Sequence, residues 1–412
     1  MVKPTNLLNS FLTKKVIICF FTGFTSGLPL FILISLLPAW LMESGLDLKA
    51  IGLFALIQFP FTWKFLWAPL FDRFSFSMGR RRGWLIIFQV LLLVSISISG
   101  FIDPKSQIMT VAIISITIAI FSASQDVVID AYRRELLLDN ELGLGNAIHV
   151  NAYKISSLIP GSLSLILADV FSWELVFFIT GLFMIPGIIL TILIKEPLLK
   201  TMPPKTIKEA VIEPFKEFIN RKGIKEAFLI LLFIFLYKVG DSMATALATP
   251  FYMDLGFSMT QIGIIAKNAG LWASISGGIL GGIWMIKLGI NRALWIFGFM
   301  QMFATLSFAW LALSGDNPLI LAITVGLEFF AAGLGTTAFI AYIAKTTNPR
   351  FTATQFALFT SLAAVPRTVT NASTGFLVEI FGWHNFFIFC FFIAIPGTVS
   401  YTHLTLPTNR EV

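Results

Sequence analysis

The sequence predicts an all-α integral membrane protein built from two bundles of six spanning helices. Three observations carry that reading. Of the 412 residues, 57% are hydrophobic and only 12% are charged, with a mean hydropathy of +0.86, whereas a soluble domain is about 25% charged. The apolar residues gather in runs of about 20, the length an α-helix needs to cross a bilayer, and short charged turns separate them. One longer polar stretch, KEPLLKTMPPKTIKEAVIEPFKEFINRKGIKE (195–226), divides these runs six and six. The weak alternating pattern of an outer-membrane barrel is excluded.

Spans are read near 16–41, 50–70, 84–102, 108–130, 144–168, 173–194, 227–253, 259–285, 292–313, 318–344, 352–378 and 385–398. The first follows Lys14 and Lys15; its apolar stretch from Val16 to Leu41 is too long for a signal h-region and lacks a small-residue cleavage site, so it acts as a span. With the amino terminus in the cytoplasm, Lys3, Lys14, Lys15, Arg73, Arg80, Arg81, Arg82, Arg133, Arg134, Lys287, Arg292, Lys345 and Arg350 all lie inside. The opposite loops carry mainly Lys49 and Lys105, as the positive-inside rule requires.

The second and eighth spans open on GLDLKAIG (45–52) and GFSMTQIG (256–263), a faint internal repeat of the kind two like bundles produce. Asp47 and Ser258 stand at N-cap positions there, and Gln261 completes a capping box. In the long loop, residues 206–220 have helical spacing suited to lying along the inner surface. The twelfth run, FFIFCFFIAIPG, stops short of a crossing, and VSYTHLTLPTNREV (399–412) is polar and contains a proline. That tail resembles a translated sequencing-library adapter, so the last helix is read as truncated, and His403 and Arg410 carry no argument. The expected organisation is thus an amino-terminal bundle at 1–194, a cytoplasmic loop at 195–226, a carboxy-terminal bundle at 227–398 and a non-native tail at 399–412.

Several functions are excluded. Cys19 and Cys390 both fall inside spans and suggest neither a disulfide framework nor a metal site. Apart from the tail, only His149 and His384 remain, with no clustered His/Cys/carboxylate pattern and no nucleotide-cradling glycine loop, which argues against an enzyme and against a cofactor. Neither a filter-like segment nor rings of like charge suggest a channel. The net charge of +7 comes mainly from loops on one side and does not imply nucleic acid. What remains is a carrier, expected to act as a monomer in the bilayer.

A carrier's working residues are the charges left inside its spans, because one at mid-membrane costs about 2.5 to 3.5 kcal/mol on insertion scales. These are Lys64, Asp126, Asp130, Lys154, Lys238, Asp241, Lys267, Glu328 and Arg367. In SASQDVVIDAYRRE (122–135), Asp126 and Asp130 share a helix face, and Arg133 and Arg134 follow one turn later. The arginines suit the carboxy-terminal end of the fourth span and the acids do not. Asp126, the deeper acid, is the candidate proton carrier; Asp130 is a second proton candidate and, with Arg133, an inner-gate candidate, the alternative being an ion-pair network that locks neighbouring spans. Lys238 and Asp241 stand at i,i+3 and could neutralise each other. Arg367 has no acid nearby in sequence and suits an anionic group. Lys64, between Trp63 and Trp67, offers charge beside an aromatic face, or else snorkels to the interface.

The turn APLFDRFSFSMGRRRGW (68–84) sets an acid at the end of one helix and a basic cluster at the start of the next, a latch that could break as two bundles rock. It resembles the signature loop of the major facilitator superfamily, with Asp72, Arg73, Gly79 and Arg80, Arg81 and Arg82 in the matching places. It departs by Ala68, where a glycine is usual, and by a longer spacer before Gly79.

Together GFTSGLPLFIL, KFLWAPLFDR, GRRRGW, SQDVVIDAYRRELL, LYKVGD with TPFYMDLGFS, and FTATQFALFTSLAAVPR resemble the AmpG-type muropeptide permeases of that superfamily, in order and in matching spans from about residue 15 to 397. The resemblance implies proton-driven import of N-acetylglucosaminyl-anhydromuramyl peptides across the bacterial inner membrane for cell-wall recycling. Its wider relatives leave open another amphiphilic anion, such as acetyl-CoA or a peptide-like nutrient. Muropeptide cargo would stack its sugars on aromatics such as Trp63, and its carboxylates suit Arg367, Lys154, Lys64 or Lys238, with Asp241 beside the last, in a central cavity.

Overall fold

The computed structural model describes residues 13–46, 54–168, 170–197, 206–257 and 261–405, which leaves the N-cap positions at 47 and 258 outside the described residues. The only β feature among the described residues is an isolated bridge between Phe76 and Gly79. The chain forms two compact units, one of residues 1–214 with 347–358, the other of 215–346 with 359–412. By length and composition, eight helices among the described residues can cross a membrane. The other expected spans appear as broken or merged helices.

In the first unit the opening helix, Lys14–Phe31, has its N-terminus capped by Thr13, contains Pro29, and passes through a π-turn at Ile32–Leu36 into Leu37–Glu43. Pro29 has no N–H to give to the preceding turn, which favours such a local change of winding. Gly23 and Gly27 stand one helical turn apart, where a Cβ would collide with the carbonyls of His149 and Tyr153 in the helix Leu142–Ser156. Small residues at that spacing let two backbones approach closely within a membrane.

The second span is not one helix. Phe54–Gln58 and Lys64–Leu66 wind as 3-10 turns between the short α-helices Phe59–Trp63 and Ala68–Arg73. Pro60 and Pro69 each remove a backbone donor, which explains a chain that stays helical without a continuous α ladder. The fifth span breaks similarly after Leu142–Ser156, with Pro160 in a π-turn at Ile159–Leu163 before Ser164–Ala168. Arg82–Ser99, Ile108–Leu136 and Trp173–Leu193 supply the third, fourth and sixth spans. Leu28, Leu36, Trp40, Leu92, Ile118 and Phe177 are buried among them in one apolar core.

In the second unit Lys267–Ser314 turns at Gly289, and the helix Thr352–Thr405, whose first residues to 358 belong to the first unit, turns at Gly382; both glycines adopt positive φ, a conformation costly for other residues. Each of these long elements is therefore two spans. The helical backbone runs on to Thr405, past residue 398 where the twelfth span was expected to stop. Gly277 packs on the Phe330 carbonyl and Gly333 on that of Ser274, which seats the eighth span against Pro318–Thr346. Phe251, Phe308, Phe386 and Phe387 centre the core of this unit. In both units large apolar residues such as Leu193 (74% exposed) and Ile380 (73%) face outward, as lipid-facing positions should.

The long loop contains the helix Ile207–Lys222, close to the 206–220 read from spacing. It presents Val211 and Phe215 outward alongside charged residues.

Candidate functional site

Inside the first unit, Asp126 of Ile108–Leu136 meets two neighbouring spans. Ser26 Oγ donates to Asp126 Oδ1, and Lys64 Nζ lies 4.0 Å from Oδ2, in side chains 10% (lysine) and 12% (aspartate) exposed. The 3-10 turn at Lys64–Leu66 positions this lysine, which is buried and does not snorkel. Gln125 Nε2 donates to the Thr25 carbonyl at 2.8 Å, and Trp67 Nε1 to Ser124 Oγ at 3.0 Å, fixing the fourth span against the first two. Trp63 is 39% exposed and stacks with Phe59 and Phe65 at centroid distances of 5.4 and 5.9 Å. Lys154 is half-buried on the fifth span.

One turn below Asp126, Asp130 accepts from Arg133 at 2.7 Å. Arg133 also donates to Asn146 Oδ1 at 2.8 Å and lies over the Phe356 ring. Arg134 points elsewhere, to Asp139 at 3.1 Å. Asp126, the Asp130 and Arg133 pair, and Arg134 thus have three different settings on one helix. Nearby, Lys15 Nζ bonds Glu141 Oε2 at 2.5 Å.

The acid and the basic cluster of the 68–84 turn meet in a buried network. Asp72 Oδ1 accepts from Arg81 at 2.8 Å; it also accepts the Ala353 N–H, and Oδ2 accepts the Thr354 N–H and hydroxyl at 2.9 and 2.8 Å. Arg81 further donates to Glu135 at 2.7 Å and to the Phe71 carbonyl at 2.8 Å. Its burial, which alone would lower it, is outweighed by Glu135 and Asp72, which hold the guanidinium above its ordinary range. Arg80 pairs with Glu135 at 2.5 Å, yet burial and the adjacent Arg81 charge pull it below the usual range. Arg82 donates to the Thr191 and Ile192 carbonyls at the end of the sixth span, while Glu196 accepts the backbone N–H groups of Arg81 and Arg82. Arg73 stays out of this network and lies over the Phe74 ring.

Two acids of this network escaped the sequence reading. Glu135 was legible: Val128, Ala131, Tyr132 and Glu135 follow helical spacing, and all four are buried or nearly so. Glu196 had no such signal, because it stands in the loop after the sixth span.

In the second unit Lys238 bonds Asp241 at 3.1 Å and Thr336 Oγ1 at 2.8 Å, the mutual neutralisation that the i,i+3 spacing allowed. Lys238 precedes the short helix Val239–Ala246, next to a break in the seventh span. Glu328 is fully buried on Pro318–Thr346. The backbone at 367 is helical, and the Arg367 side chain lies outside the described residues, as does that of Lys267. Among the described residues, no group of three or more His, Cys, Asp or Glu could hold a metal ion.

The family model for the Major Facilitator Superfamily matches residues 19–371. An uncharacterized protein from Haemophilus influenzae is 48% identical over 402 residues, covering 95% of each chain. The anhydromuropeptide permease of Escherichia coli K12 is 40% identical over 380 residues, 92% of this chain and 77% of the relative. Among solved structures, the E. coli fucose:proton symporter FucP superposes with a TM-score of 0.73 at 12% identity, over 96% of this chain and 99% of that one, a likeness of fold.

Proposed function

Because the chain belongs to the AmpG-type permeases of the major facilitator superfamily, we propose that it carries N-acetylglucosaminyl-anhydromuramyl peptides from periplasm to cytoplasm across the bacterial inner membrane, driven by the proton gradient. The protein is a multi-pass membrane transporter and not an enzyme. The observation that carries the choice of cargo is the 40% identity, over 380 residues, to a permease named for anhydromuropeptides. The amino terminus lies in the cytoplasm in this reading, and the monomer is the working unit.

The Lys64 and Asp126 pair supports coupling of proton to cargo. Breaking a buried ion pair leaves an uncompensated charge, so protonating Asp126 alone would strand Lys64. A cargo carboxylate that engages Lys64 removes that cost, and the proton and the anion then enter together. Asp130, bonded to Arg133, serves the gate in this reading, together with Asp72, Arg80, Arg81 and Arg82. Because one proton and one carboxylate crossing together move no net charge, the pH difference drives the step, and about 1.7 pH units supply roughly 2.3 kcal/mol, enough for about a 50-fold gradient.

The test is uptake of labelled anhydromuropeptide by vesicles carrying the protein, with and without a protonophore, and with acetyl-CoA and short peptides as competitors. Protonophore-sensitive uptake displaced only by muropeptides is expected. Uptake of acetyl-CoA or a peptide with none of the muropeptide would overturn the assignment of cargo.

A further inference from the structure

The seventh span is broken beside a small polar cavity. The helix Ile224–Leu236 ends before Lys238 and Val239–Ala246 begins after it, so Tyr237 and Lys238 stand at the junction. A helix end leaves its last carbonyls without the N–H groups of a following turn. Within a membrane such groups are satisfied by neighbouring helices, by side chains or by ordered water, since lipid offers no partner.

The cavity measures about 10 Å³ and is lined by Tyr237 and Asp241 of the seventh span and by Gln301 and Thr305 of the ninth. Tyr237 is 8% exposed and Gln301 5%, yet the Tyr237 hydroxyl and Gln301 Nε2 have no hydrogen-bond partner. The tenth span makes room for both: a Cβ on Gly335 would collide with Gln301 Oε1 and stand 3.3 Å from the Tyr237 hydroxyl. Two side chains from different spans therefore meet beside one glycine. Acceptors lie across the same cavity. Asp241 bonds Lys238 through Oδ2 at 3.1 Å, and a carboxylate has about four lone-pair sites. Thr305 donates to the Gln301 carbonyl at 3.3 Å, which leaves its lone pairs to accept. Buried polar groups without partners are costly, and a polar cavity of one water's volume with about two to four partners is what holds an ordered water.

We propose that this cavity is a binding site for one ordered water, which accepts from the Tyr237 hydroxyl and Gln301 Nε2 and donates to Asp241 and Thr305, pinning the broken seventh span to the ninth. Tyr237 and Gln301 are then positioning residues. Through the water they give Asp241 a hydrogen-bond donor besides Lys238, and so hold the Lys238 and Asp241 pair at the junction. The volume takes one water and no sugar ring or peptide, so the inference does not depend on the identity of the cargo.

The experiment uses the full-length protein in lipid nanodiscs, with the near-isosteric variants Tyr237→Phe and Gln301→Leu and the double variant. The infrared spectrum of the wild type should contain a narrow water O–H stretching band that shifts in oxygen-18 water and is lost in either single variant. Each single variant strands the partners that the water served, so both should melt below wild type. The double variant should melt no lower than the lower of the two, because the second substitution removes a group already stranded. If the cavity holds no water, the two groups are simply unsatisfied, and removing either would raise the melting temperature or leave it unchanged. That result would overturn the proposal, as would a double variant that loses the sum of the single effects, or an isotope-sensitive band that survives in both single variants. Should a variant fail to fold, a wild-type structure that shows buried waters elsewhere in the bundle is the second measurement. Density between Tyr237, Gln301 and Asp241 is expected there, and a dry cavity would sink the idea.

Discussion

Lys64 Nζ lies 4.0 Å from Asp126 Oδ2, and both side chains are about nine-tenths buried within one unit, with Ser26 donating to the other carboxylate oxygen. Neither residue is therefore an isolated charge, and substitutions of either are expected to act through both.

Asp126→Asn should abolish proton-driven uptake while the protein still inserts, and should lower thermal stability, because losing one partner of a buried pair costs about 3 kcal/mol. The double variant Lys64→Gln, Asp126→Asn should recover most of that stability without recovering uptake. Thermal melting in detergent and vesicle uptake measure the two effects separately. Wild-type uptake by Asp126→Asn, with unchanged pH dependence, would defeat the coupling role.

Asp72 accepts three donors from Ala353 and Thr354 besides Arg81. Asp72→Asn weakens charge-assisted bonds worth about 1.5 to 3 kcal/mol each and leaves Glu135 as the one carboxylate bonded to Arg81. Amide hydrogen exchange across residues 349–358 should then quicken by about ten-fold or more. Unchanged exchange in this segment would show that Asp72 does not hold it.

Gly23 and Gly277 touch carbonyls of facing helices, so a methyl group at either must push two backbones apart. Gly23→Ala and Gly277→Ala should each cost about 1 to 3 kcal/mol, read as a lower melting temperature and a lower yield of folded protein. Gly326, where a Cβ meets nothing within 4 Å, is the matched control and should tolerate alanine.

For Arg367→Ala the expected outcome is weaker binding of anionic cargo, by about ten-fold or more if one charge-assisted bond of about 1.5 to 3 kcal/mol is lost. Calorimetry or a fluorescence titration with purified protein measures this. Equal affinity in both proteins would remove Arg367 from the binding residues.

Much of this protein was legible along the chain. The apolar runs, the long loop that halves them and the glycine and proline punctuation all depend on residues close together in sequence, and a helix integrates that local information into a span. Even the paired positions of Lys238 and Asp241, or Asp130 and Arg133, follow from helical spacing. What faces what across a bundle does not. Lys64 and Asp126 looked like separate candidates because the break in the second span turns the lysine toward the fourth. Glu196 looked like an ordinary loop acid, and Asp72 gave no hint that residues 353 and 354 would donate to it. Hydropathy determines which segments enter the membrane, since that cost sums along the chain. Only the packed structure decides which buried charges find partners, since that depends on distances of a few ångströms between residues far apart in sequence, and it leaves Glu328 without one.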